Sequence, residues 1–202
     1  MLNFDYSKDY ILEDQQVKLS PLKIEHVENL LDISNESDLW TYFLEKGNGR
    51  KNLTKYIRST INNRKLEKEY PFIIFDKNEK EYAGTTWFYD YLKDLKSIKL
   101  GHTWIGEKFR GIGLNKHCKY LLFEFAFEEL EVERIGFGAH IENKSSIAAL
   151  KSVGCKEEGV LRNIIPALDS KERRDIILLS ILKNEWFNYT KPNLKNRLKT
   201  LK

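Results

Sequence analysis

The 202-residue chain carries 34 Lys and Arg against 30 Asp and Glu, a formal charge of +4, with 32% charged and 41% apolar residues. That balance describes a single soluble domain with enough chain for a sizeable core. It excludes a membrane span, since no apolar run approaches ~18 residues, and +4 by itself does not establish nucleic-acid binding.

Asp5, Asp9, Glu13 and Asp14 make the N-terminus acidic, unlike a secretory leader. The two cysteines, Cys118 and Cys155, sit on apolar patterns and read as buried small hydrophobes. His117 and Cys118 are adjacent on a helical pattern and do not face one point, so no metal site is expected. A cytoplasmic protein is the expectation.

In chain order, Val17–Pro21 is a short strand and Ile24–Ile33 a helix with Ile24, Val27, Leu30 and Leu31 at helical spacing. Ser34–Asn52 is rich in aromatics (Trp40, Tyr42, Phe43) and closes on the turn cluster Gly47-Asn48-Gly49. A second helix is expected over Leu53–Leu66, broken by Pro71. Strands follow at Phe72–Asp76, Tyr82–Tyr91 and Ile98–Ile105, the first ending in the turn chemistry of Asp76-Lys77-Asn78. A helix starts at Leu114. Arg134–Ile141 is a further strand and Asn143–Val153 a short helix with Ile147, Leu150 and Val153 on one face. The last strands are Cys155–Ile165 and Asp175–Leu182. There is no internal repeat or low-complexity segment, so the boundaries are an extension over 1–16, one α/β domain over 17–187 and a basic tail over 188–202. In that tail Leu194, Leu198 and Leu201 mark one helical face amid five Lys and Arg and no acid over Lys191–Lys202. It reads as a frayed end or a helix packed on the domain ahead of a surface-binding basic helix.

The chain is organised around Leu100–Leu130. There an apolar strand feeds the loop Gly106–Asn115, and a helix follows with Leu114, Cys118, Leu121, Leu122 and Phe125 at i, i+4, i+7, i+8 and i+11. A strand leading through a glycine turn to a helix N-terminus builds an anion site. The first N–H groups of the helix have no intrahelical partner, and the macrodipole favours negative charge there. Gly111 and Gly113 allow φ > 0 and close backbone approach, and Arg110 adds a planar fork of donors.

Arg110-Gly111-Ile112-Gly113-Leu114-Asn115 closely resembles the Q/R-x-x-G-x-G/A signature with which GNAT acetyltransferases bind the pyrophosphate of acetyl-CoA. Asn115 departs from the final Gly/Ala. The likeness extends through Gly101-His102-Thr103-Trp104-Ile105, Phe125-Ala126-Phe127-Glu128, Asn143-Lys144-Ser145-Ser146, Leu150–Gly154, Glu158–Arg162, Arg174-Asp175, Ser180-Ile181 and Glu185-Trp186. This ordered set resembles the RimJ/RimL branch, which includes acetyltransferases of ribosomal-protein N-termini, and covers about residues 17–187.

The resemblance implies an α/β fold of the α+β type. Its mixed, mostly antiparallel sheet of about seven strands is flanked by helices and splayed between the fourth and fifth strands. Acetyl-CoA lies in that split as cosubstrate, with no metal, and the acetyl group passes directly to an amine acceptor, with no membrane partner. The oligomeric state stays open, a homodimer included. By the same resemblance, Arg110, Gly111, Ile112, Gly113, Leu114 and Asn115 hold the diphosphate, with Lys108 or Lys116 as nearby charges. A backbone N–H of Trp104 or Ile105 polarises the thioester, and Asn143 binds the pantetheine arm. Ser146 protonates the departing CoA thiolate, unless Asn143 and Ser146 are simply a capping pair. The glutamate given the base role in this branch maps to Ile165, so it does not carry over, and a catalytically silent CoA-binding sensor or interaction protein of the same fold is the alternative function. His102 is the substitute base or a structural histidine sharing a strand face with Leu100 and Trp104; His140 is weaker. Arg162, Arg174 and Asp175 suggest an Arg–Asp brace between the last two strands. Glu36, Asp38, Glu45, Asp169 and Glu172 offer negative charge to a cationic acceptor.

Overall fold

The computed structural model describes residues 4–167 and 172–200; Asp169 and Leu201 lie outside the described residues. Its strands are β1 (Leu12–Glu13), β2 (Val17–Pro21), β3 (Glu69–Asp76), β4 (Glu81–Leu92), β5 (Ser97–Ile105), β6 (Arg134–His140), β7 (Lys156–Pro166) and β8 (Arg173–Leu182). Helices α1 (His26–Ser34) and α2 (Gly49–Lys65) follow β2, α3 (Leu114–Glu124) follows β5, and α4 (Lys144–Ser152) follows β6. After β8 the chain continues through α5 (Lys183–Glu185), a π turn at Trp186–Thr190 and α6 (Lys191–Thr200).

The strands form one sheet in the order β1-β2-β3-β4-β5-β6-β8-β7. Every pairing is antiparallel except β5 with β6. The two-residue β1 is additional to the seven strands expected, so the split between the fourth and fifth strands falls between β5 and β6.

Alternation along the strands divides the core into two layers. Tyr70, Phe72 and Ile74 of β3 and Phe88 of β4 face α3, α4 and α6, while Ile73 and Trp87 face α1 and α2. Burial of a side chain such as Phe72, Phe88 or Phe123, none of them measurably exposed, stabilises the fold by roughly 1.5–3 kcal/mol. Phe4, Tyr6 and Tyr10 join the α3-side layer, where Tyr70 Oη donates to the Lys8 carbonyl at 2.6 Å. At the other terminus Leu194 and Leu198 of α6 are buried in the same layer, and Lys191 Nζ bonds Glu128 at 2.7 and 2.8 Å. Leu194 and Leu198 of the basic tail are therefore packed on the domain.

Several boundaries differ from expectation. Helix α2 starts at Gly49, so the Gly47-Asn48-Gly49 cluster is its entry rather than a separate turn. A Cβ on Gly47 would lie 2.3 Å from the Trp40 ring, so only glycine lets that indole seat. Strand β3 begins before Pro71, which pairs with Trp87 just past the last β2 contact, Pro21 with Phe72. The expected Arg–Asp brace is replaced. Asp175 Oδ1 accepts from Asn163 N–H at 2.7 Å, Arg173 donates to the Asn163 and Ile164 carbonyls at 2.8 Å, and Arg174 reaches Glu172 and Glu142.

Candidate active site

Strands β5 and β6 pair only at Ser97 with Arg134, Ile98 with Ile135 and Lys99 with Gly136, and then part. The Gly106 N–H donates to the Ala83 carbonyl at 2.9 Å, toward β4. Strand alternation therefore turns the Ile105 N–H to the opposite edge, into the split. On the other wall the Ile141 N–H donates to the Asp175 carbonyl at 3.2 Å, toward β8. The backbone groups of His140 and Gly138 then face the split as well. Two strand edges looking at each other across a gap can take an extended amide chain as an added strand.

The loop leaving β5 ends at the open mouth of this gap. Gly111 has φ +78° and Gly113 φ +92°, the left-handed region that an L side chain enters only with strain. Gly113 is the N-terminal flank of α3, and its carbonyl accepts from Lys116 N–H at 2.8 Å and His117 N–H at 3.2 Å. The N–H groups of Leu114 and Asn115 precede that ladder and point out of the helix end, where an anion is favoured. Asn115, which replaces the small residue of the signature, has a buried Oδ1 without a hydrogen-bond partner.

The cations near the loop are arranged differently from the sequence reading. Arg110 Nε donates to the Ile105 carbonyl at 2.8 Å and its Nη2 to Glu36 Oε2 at 2.9 Å. Glu36 also accepts from the Glu107 N–H at 2.8 and 3.0 Å. Lys108 Nζ lies 2.9 Å from both Glu79 and Glu81, which hold its ammonium above the usual lysine range. Arg110 therefore braces the loop, and the groups turned outward at this helix end are main-chain N–H groups, which suit an anion. Glu36, grouped in sequence with acceptor-attracting acids, is instead a strut of this loop.

A bulge reshapes the middle of β5. Thr85 pairs with Trp104 and Trp87 with Gly101, so His102 and Thr103 together oppose Thr86, and His102 has φ +50°. The extra residue switches the strand's faces. Leu100 points to the α3 side and Trp104 to the α1/α2 side, which corrects the expectation that the two share a face. His102 stacks on Trp87 at 4.6 Å, with Tyr89 edge-on at 5.2 Å. Burial pushes its pKa down to about 4, so the ring is neutral at pH 7.

At the start of α4, Asn143 Oδ1 accepts from Ser146 N–H at 3.1 Å and Ser145 Oγ at 3.0 Å. Asn143 is thus the helix cap, with its amide NH2 not used in that cap. Ser146 is half-buried one turn into the helix. His140 stands at the split's outer end, 5.1 Å from the Tyr42 ring, with its Nδ1 accepting from the Glu142 N–H at 3.1 Å. Sequence reasoning missed Lys119, whose Nζ donates to Thr103 Oγ1 in the bulge at 2.9 Å. No local signal marks it, since Lys119 lies off the apolar stripe of α3.

The chain matches the acetyltransferase (GNAT) domain model over residues 16–156. It is 34% identical over 91 residues to "Putative ribosomal N-acetyltransferase YdaF" of Bacillus subtilis, a match covering 45% of this chain and 48% of that protein, about half its length. "Probable N-acetyltransferase YjcK" of the same organism is 26% identical over 165 residues, covering 75% of this chain and 87% of that one. Among solved structures, a "putative acetyltransferase" of T. thermophilus superposes with TM-score 0.85 at 28% identity, covering 98% of this chain and 100% of that chain. The microcin C7 self-immunity acetyltransferase MccE, solved with acetyl-CoA and AMP, shares the fold at TM-score 0.73 and 20% identity, covering 84% of this chain and 93% of that chain.

Proposed function

This chain belongs to the GNAT acetyltransferase family and is an acetyl-CoA-dependent acetyltransferase, and we propose that its acceptor is a primary amine, a protein N-terminus or a small-molecule amine, attacked within a ternary complex. The observation that carries this reading is the parting of β5 and β6 at the mouth of the Gly111–Gly113 turn. A gap with two amide-pairing walls and an anion-binding helix end at one mouth suits the extended, diphosphate-bearing arm of CoA.

In the proposed reaction, the N–H groups of Gly111, Ile112, Gly113, Leu114 and Asn115 hold the diphosphate, with Lys116 beside them and Arg110 and Lys108 fixing the loop. The Asn143 amide binds the pantetheine arm. The Ile105 N–H, turned into the split beyond Trp104, polarises the thioester carbonyl as negative charge develops on its oxygen. The amine nitrogen attacks the carbonyl carbon, the C–S bond breaks, and the Ser146 hydroxyl delivers a proton to the sulfur. Holding the reactants together replaces a bimolecular encounter, so positioning contributes much of the acceleration. The proton shed by the amine nitrogen returns through solvent to the Ser146 oxygen, since His102, held near pKa 4 by burial, is too weak a base to keep it.

Negative charge on the α1/α2 side favours a cationic amine. Glu69 stands beside Tyr89 there, with burial together with the Asp90 and Glu45 charges raising its carboxyl above the ordinary range, while Asp90 itself is paired with Lys99 Nζ at 2.9 Å. The test is an acetyl-CoA titration by calorimetry, followed by thiol release across a panel of peptides and small amines. Ser146→Ala should retain acetyl-CoA affinity and lose turnover. A loss that merely follows thermal destabilisation would assign Ser146 to the helix cap alone, and absence of acetyl-CoA binding would overturn the whole site.

A further inference from the structure

Lys119 is 3% exposed, and among the described residues it forms no ion pair with a carboxylate. A buried unpaired ammonium is costly, because the interior returns little of the hydration it loses. Burial pulls its pKa down to about 8. The groups facing it are the Cys118 thiol from α3, the Cys155 thiol from the segment after α4, and the hydroxyl of Thr103 in the β5 bulge. Thr103 Oγ1 lies in turn 2.8 Å from Thr86 Oγ1 of β4. Both thiols are pushed up to about 12 and stay neutral, so neither compensates the charge. The neighbouring His117 points elsewhere, with its Nδ1 2.5 Å from Asp14 Oδ2.

The position of this charge is specific. Lys119 reaches β5 at Thr103, past the point where β5 leaves β6. One helical turn later Phe123 touches Phe137 of β6, their ring centres 5.9 Å apart. Helix α3 therefore packs under both strands on one face of the sheet, with the buried Lys119 ammonium beneath the β5 bulge. In the acetyltransferase reading, negative charge collects on the CoA sulfur as the C–S bond breaks, and a cation below the bulge would favour it.

We propose that the Lys119 ammonium, bonded to Thr103 in the floor of the split, stabilises the departing CoA thiolate. This rests on the acetyltransferase reading above and adds a charge-stabilising residue to it. The step is balanced without Lys119 losing a proton. The amine forms the C–N bond, the C–S electron pair passes to sulfur above the ammonium, Ser146 delivers its hydroxyl proton to the sulfur, and the proton shed by the amine nitrogen restores the serine through solvent. Lys119 acts across the Thr103 hydroxyl, so it is a positioning charge.

The test uses the full chain with Lys119→Met and Lys119→Gln, the second keeping a donor for Thr103 without the charge. In both, kcat should fall about 100-fold, as for loss of one preorganised donor to a developing anion, with acetyl-CoA affinity unchanged. The wild-type alkaline limb of kcat, set by deprotonation of Lys119, should disappear. Independently of turnover, ultraviolet absorbance of the bound CoA thiolate, with desulfo-CoA as blank, should show the thiol ionising at lower pH in wild type than in either variant. CoA that binds equally to all three and ionises at the same pH would overturn the inference and leave the acetyltransferase reading standing. Failure of wild type to bind CoA would overturn both.

Discussion

Replacing Lys119 by Met should make this protein more stable, and the size of the gain follows from the environment of the ammonium. The pKa falls from 10.5 to about 8 in the folded state, and each unit of difference is about 1.4 kcal/mol, so holding the charge at neutral pH costs about 3 kcal/mol. Met fills a similar volume without charge and adapts to an irregular pocket. Thr103 keeps its contact with Thr86, so no hydroxyl is orphaned. The unfolded chain binds the lysine proton up to its ordinary pKa while the folded chain releases it near 8. The cost is therefore full below pH 8 and disappears as pH rises toward 10.5. Urea denaturation at a series of pH values reads this directly. A variant advantage of about 3 kcal/mol at pH 7 that shrinks above pH 8 is the expected outcome. A variant less stable than wild type at pH 7, or an advantage indifferent to pH, would refute the account of Lys119 as a buried, uncompensated cation.

The histidine at the bulge gives the opposite limb. His102 is depressed from 6.5 to about 4, so it contributes stability that is complete above pH 6.5 and lost as pH falls toward 4, about 3 kcal/mol in all. His102→Asn, which tolerates the positive φ, should flatten the fall in denaturation midpoint across that range. At the loop, Gly113→Trp should abolish acetyl-CoA binding in calorimetry while the circular dichroism spectrum of the fold persists. The left-handed backbone at Gly113 then adds about 1–2 kcal/mol of strain as a lower melting temperature.

The order of strands and helices was legible because local patterns and tertiary packing agree over most of the chain. The 3.6-residue stripe from Leu114 to Phe125 lies in the core, although α3 is buried all round from His117 to Phe123, and the glycines at 111 and 113 occur where the backbone needs positive φ. The Arg110–Asn115 motif and the signatures after it sufficed to point to the family, since an anion-binding helix end is built from consecutive residues.

What the sequence left undetermined depends on groups far apart in the chain. Periodicity assigns Leu100 and Trp104 to one face, and only the pairing with β4 reveals the bulge that separates them. Arg110 looks like a phosphate ligand in sequence, and its engagement with Glu36 appears when α1 comes against the loop. Asn143 and Ser146 had two readings, and the fold shows the Asn143 side-chain oxygen capping α4 while the Ser146 hydroxyl is outside that cap. Lys119 reads as one more helix-surface lysine until β5 and the Cys155 segment close around it. A motif fixes what a short stretch of backbone can do. Burial, which sets charge and proton affinity, is created by distant strands and helices and is decided only when they pack.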